Sequence, residues 1–195
     1  MAITEEFDSQ KLLVDSVNIL LGVINELPIT SLEDIENILE AQIAVDVILE
    51  SKKTILGYGW KVNTDTAYPL QPDADGFINV PPHVLDLAVS GSNIIVRDWK
   101  LYDKDTFSQT FDAAVECDIV WNLEFNTLPQ PIRYYITINA ARIFQYRMIT
   151  DVNMHKFTDK DETMALLAAK RSEGRTGQFN MLSSGSYGSN FNVLG

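Results

Sequence analysis

Cysteine is nearly missing from this chain of 195 residues. Cys117 stands alone, so no disulfide can form within the chain, and an oxidising compartment is not indicated. Histidine is almost as scarce. His83 and His155 are isolated, with no Glu-x-x-His or Cys-x-x-Cys nearby, which removes the common zinc-site spacings. Basic residues are outnumbered, 15 Lys and Arg against 27 Asp and Glu, for a net charge of −12. That balance excludes the usual electrostatic footprint of a nucleic-acid binder and disfavours docking on anionic membranes. It reads most simply as a means of staying soluble. No apolar run reaches the roughly 20 residues needed to span a bilayer, and the start, Met1-Ala2-Ile3-Thr4-Glu5-Glu6, lacks a basic leader region. Gly57-Tyr58-Gly59 lacks the third glycine of a dinucleotide loop, and no phosphate loop with its lysine is present. The expectation is a soluble protein made in the cytosol, without metal or cofactor.

What is present is a chain 46% hydrophobic, enough for a sizeable core in one domain. Its organising stretch is Pro131 to Ile149. Proline is tolerated in a first helical turn, and Ile132, Tyr135, Ile136, Ala140, Ile143 and Phe144 recur at helical spacing on one face. Arg133, Thr137, Gln145 and Arg147 fall largely outside that face. An earlier helix is expected from about Asp8 to Ile24, carried by Leu13, Val17, Leu20 and Ile24, and ended by Asn25 and Pro28. A second runs from a Thr30-Ser31 cap through Ile35, Ile38, Ile43, Val47, Ile48 and Ile55 to Gly57, with acids at its positive end. Its apolar surface is broad enough to be covered on more than one side. A last helix is expected over 158–172, ending before Gly174.

Between the second helix and the organising one, the period changes to alternation. Trp60 to Asn63 reads as a strand, Tyr68-Pro69-Leu70 as an edge, and Pro72 to Gly76 as a turn. Phe77 to Val80 reads as a returning strand and 84–89 as a short helical turn. Ile94 to Arg97 and Trp99 to Tyr102 form a strand pair. Val115 to Leu123 is the last strand, with Val115, Cys117, Ile119 and Trp121 on one face. The fold class is therefore α+β: a bundle of about four helices with a β-rich insert between the second and third. Residues 1–176 form a single discontinuous domain (helices 8–57 and 131–172, insert 58–125). Residues 177–195 form a flexible glycine- and serine-rich tail that still carries Phe179, Met181, Leu182, Tyr187 and Phe191.

Chemistry is sparse. Asp73-Ala74-Asp75-Gly76 starts like a calcium loop, but no glutamate follows at the completing position, and a solvated turn explains it better. Cys117 alternates with apolar residues and reads as a buried, inert thiol. Arg133, Arg142 and Arg147 on the organising helix, with Lys170, Arg171 and Arg175 near the last helix end, read as helix-end charges and ion-pair partners before they read as a phosphate strip. No catalytic constellation is composed. A metal-dependent hydrolase using Asp73, Asp75 and His83 is one alternative, and a binding module acting through the tail without a ring is another.

In order along the chain, Val17-Asn18-Ile19-Leu20, Ile24 to Leu32, Gly59 to Asn63, Gly76 to Pro81, Arg97 with Leu101-Tyr102-Asp103, Leu128-Pro129 to Phe144, and Phe179 to Leu182 resemble tail tubular protein A, the adaptor protein family of short-tailed bacteriophages. The series covers nearly the whole chain. Asn25 stands where the family usually has glycine, and both residues tolerate a positive φ. The resemblance implies a virion tail component without catalysis, a dodecameric ring between the portal protein and the tail nozzle protein. It implies that the ring lines the genome-ejection channel, where DNA passes without specific binding, and supports the tail fibres. Candidate interface residues are Phe179, Met181, Leu182, Tyr187 and Phe191 in the tail, with Arg142 and Arg147 on the organising helix, whose facing toward a neighbouring subunit stays an open question.

Overall fold

The computed structural model describes residues 2–151, 153 and 155–183, and the chain is α+β. Helix α1, Ala2–Val23, buries Val14, Val17, Leu20 and Leu21. Asn25 ends it at φ 61, while the Glu26 N–H returns to the Leu21 carbonyl. The following segment is fastened by Asn18, whose carboxamide accepts from the Ile29 N–H at 2.8 Å and donates to the Ile29 carbonyl at 3.0 Å.

The helix expected from the Thr30-Ser31 cap to Gly57 is in fact two, α2, Leu32–Asn37, and α3, Leu39–Leu56. Ser31 and Asp34 make a reciprocal capping box at the start of α2. Backbone N–H groups of Thr30 and Ser31 hold the Asp34 carboxyl below its ordinary value. The break comes at Ile38, which is extended at φ −122, a conformation that suits its β-branched side chain. Gln42 makes the break inexpensive, because its side chain donates to the Glu36 carbonyl that the interruption leaves open.

Helix α4, Gln130–Met148, packs against α1, α3 and α5. The expected face is buried, with Ile143 partly so, yet burial goes further round. Thr137 and Gln145, expected largely outside that face, are buried because three helices surround α4. Both are satisfied there: the Thr137 hydroxyl donates to Ser16 Oγ at 3.0 Å. Gln145 donates to the Phe157 carbonyl and accepts from the Phe157 N–H, fixing the link from α4 onward. In the same link Lys156 donates to the Gly22 carbonyl and Asn25 Oδ1, placing a cation at the negative end of α1.

Five strands lie between α3 and α4 in the chain: β1, Thr64–Leu70; β2, Val84–Ala88; β3, Ile94–Arg97; β4, Lys100–Asp103; and β5, Val115–Trp121. The first sheet has the order β1-β5-β2, all antiparallel, so Pro69 lies on an edge strand as expected. β3 and β4 form a separate hairpin. Leu70, Ile78, Leu101, Cys117 and Ile119 make a small core distinct from that of the bundle.

Three local readings are corrected. Trp60 to Asn63 is not a strand; Lys61–Asn63 is a 3-10 turn, which buries Trp60 and leaves Val62 exposed. Residues 84–89 are not helical, because 84–88 pair with β5 as a sheet edge. Phe77 to Val80 makes only isolated bridges, Phe77 to Thr110 and Asn79 to Lys100. The turn before it forms as expected, with Asp73 accepting from the Asp75 and Phe77 N–H groups and Gly76 at φ 82.

One buried asparagine ties the insert to the bundle. Asn63 Nδ2 donates to the Leu56 carbonyl at 3.0 Å and to the Trp121 carbonyl at 2.7 Å, and Oδ1 accepts from the Trp60 N–H at 2.9 Å. Entry to and exit from the strands are thus held by a single side chain. Trp60 adds its ring NH to the Ile55 carbonyl and a tilted contact with Tyr135, centroids 6.1 Å apart.

Helix α5, Asp159–Ser183, is longer than expected and does not stop before Gly174. Gly174 and Gly177 each cost about 1 kcal/mol against alanine in a helix interior, a cost too small to stop it. Its start follows a Thr158 cap that exchanges bonds with Asp161.

Candidate functional site

Arg142 lies on α4 where α5 begins, and its guanidinium spans Asp159 and Glu162. Burial works against its charge, but Glu162 and Asp159 more than offset it, so its pKa is raised. Glu162 also accepts from Asn139 at 2.9 Å. Arg147 pairs with Glu50 of α3 at 2.9 Å, a contact that raises the pKa of Arg147 and lowers that of Glu50. The two arginines named as interface candidates each pair within the chain, clamping α4 to α5 and to α3.

Phe179, Met181 and Leu182 fall on the backbone of α5, inside the stretch expected to be a flexible tail. Tyr187 and Phe191, with the rest of 184–195, lie outside the described residues. The residues of the hydrolase alternative do not converge. Asp73 uses its carboxylate on the turn and on Asn79, which lowers its pKa, and His83 is exposed at φ 64. Among the described residues, no three His, Cys, Asp or Glu side chains are placed to hold a metal ion. Cys117 is buried and its thiol is pushed up by burial and by Asp118, away from nucleophilic use. Lys52 on α3 is also buried, and its desolvation outweighs the pull of Glu124, lowering its pKa.

The open features are apolar. Trp99 is 70% exposed and Phe107 79% exposed, both on the insert. On the bundle Leu39 of α3 and Met164 of α5 are exposed, at 63% and 58%. Reading one buried stripe per helix overlooks these residues. On the helices Leu39 and Met164 lie outside the buried stripe, while Trp99 and Phe107 stand in turns of the insert, where no helical spacing marks them.

Trp99 also sits under backbone strain. It follows Asp98 in the two-residue turn from β3 to β4, and both have positive φ, 52 and 59, as a type I′ turn requires. Non-glycine residues pay about 1 kcal/mol or more there. Trp99→Gly removes little packing and relieves about 1–2 kcal/mol of strain, against about 0.4–1 kcal/mol of added unfolded-chain entropy. We therefore expect net stabilisation by about 0.5 kcal/mol, read as a higher urea midpoint. A lower midpoint would show that the ring contributes to the fold itself.

A family model described as tail tubular protein matches residues 14–179. Tail tubular protein A of Klebsiella phage KP34 is 27% identical over 152 residues, covering 76% of this chain and 80% of that protein.

Proposed function

Because the chain belongs to the tail tubular protein family of phage tails, we propose that it is the ring-forming adaptor between portal and tail nozzle. In this role the ring lines the channel through which the genome leaves and supports the attached fibres. The family match over 14–179 carries the proposal. The net charge of −12 supports it, since like charge lets DNA pass a wall without adhering. The helices and the insert act together as one discontinuous domain, in which Asn63 ties the insert to the end of α3. The end of α5, with Phe179, Met181 and Leu182, and the following residues with Tyr187 and Phe191, supply apolar anchors for a tail neighbour. The chemistry is recognition, not catalysis.

Electron cryo-microscopy of intact particles tests this directly. The expected result is density for this chain in a dodecameric ring between portal and nozzle. Particles in which the chain lies elsewhere, or is absent, would sink the proposal.

A further inference from the structure

The bundle carries two exposed stripes of complementary character on different helices. On α5, Lys160, Met164, Leu167 and Arg171 follow one another at helical spacing, all exposed, while Ala165 and Ala169 on the opposite side are buried against α4. This stripe is apolar in the middle and basic at both ends. On α2 and α3, Glu36, Leu39, Asp46 and Leu49 are exposed on the outside of the bundle. This second stripe mixes leucine with acid, with Gln42 and, at its far end, Lys53 also exposed. At 1.5 Å per residue the α5 stripe is roughly 16 Å long and the α3 part of the second, Leu39 to Leu49, roughly 15 Å, with Glu36 placed before the extended Ile38. α2 packs on α3 and α5 packs on α4, so the stripes belong to separate flanks of one molecule. None of these charged residues makes an ion pair among the described residues, where the arginine pairs are those of Arg142 and Arg147.

The charge is divided along the chain in the same sense. Of the 27 acidic residues, 22 precede Asn126, whereas 8 of the 15 basic residues follow it. A surface this acidic repels its own copies except where a basic strip meets an acidic one.

We propose that the α5 stripe of one copy seats on the α2–α3 stripe of the next, Met164 and Leu167 against Leu39, with Lys160 and Arg171 against Glu36 and Asp46. Such a contact joins two different patches, so it is head-to-tail and closes into a ring when the rotation between copies allows. The inference rests on the ring reading above and names the surfaces that would build it. It also explains why α5 presents large apolar side chains to solvent on the side away from α4.

The test uses the full chain and two variants, Lys160→Glu with Arg171→Glu, and Glu36→Lys with Asp46→Lys, followed by sedimentation velocity with and without portal protein. Each variant alone places like charges across the contact, and we expect association to weaken at least ~100-fold. An equal mixture of the two restores opposite charges at every boundary and should recover assembly. Exposed substitutions leave the circular dichroism spectrum unchanged. Assembly by either variant alone at wild-type strength would overturn the inference, as would blocked variants whose mixture does not recover. A wild-type chain that stays monomeric even with portal protein would instead remove the ring reading.

Discussion

Asn63→Ala is expected to lower the unfolding free energy by about 3 kcal/mol, one of the two largest single losses foreseen for this chain. The asparagine is buried, and its carboxamide makes three hydrogen bonds to backbone groups at both ends of the insert. Alanine removes all three. The Leu56 carbonyl keeps a bond from the Gly59 N–H, but the Trp60 N–H loses its side-chain acceptor. A buried group left unpaired carries the full cost of its desolvation. Asn63→Asp separates hydrogen bonding from shape. It retains the acceptor for Trp60 but turns an oxygen toward the Leu56 and Trp121 carbonyls, so its loss should be at least as large. Urea midpoints with an unchanged m-value measure both. An alanine variant within 1 kcal/mol of wild type would show that the insert is held by other means.

Phe144→Ala should cost about 3–5 kcal/mol, the range for emptying a large aromatic site in a packed core. Phe144 is fully buried on α4, the helix packed against α1, α3 and α5. A cavity there opens inside the main core of the bundle. Tyr134, on the same helix but 46% exposed, is the control, and Tyr134→Ala should stay within about 0.5 kcal/mol. Equal losses at the two positions would contradict the central place assigned to α4.

Much of this arrangement was legible in the residues, and what was missed has a common cause. Pro131 and the apolar series to Phe144 announce α4 because one face of a helix repeats every three to four residues. Cys117 and Ile119 announce β5 by alternation. Asn25 marks a helix end by its tolerance of positive φ. The break at Ile38 was hidden because the apolar series runs through it, and its compensation comes from the side chain of Gln42. Thr137 and Gln145 look like surface residues until three neighbouring helices enclose them. β2 was missed because its strand character depends on β5, more than twenty residues away in the chain. For the candidate surfaces, Arg142 and Arg147 were visible as charges, but their partners Asp159, Glu162 and Glu50 are set by packing. The outer stripe of α5 could be read from spacing alone, though its exposure could not.

Asn18, Asn63 and Gln145 fasten three separate connections by the same device, a neutral carboxamide laid against backbone groups. Amides keep their donors and acceptors at every pH a virion meets, whereas the surface of this chain is dominated by carboxylates. Acidification toward the isoelectric point of about 4.5 therefore discharges the exterior while leaving the joints intact. Molecules lose their mutual repulsion before they lose their shape. Proton concentration acts on how these proteins meet one another sooner than on how each is built.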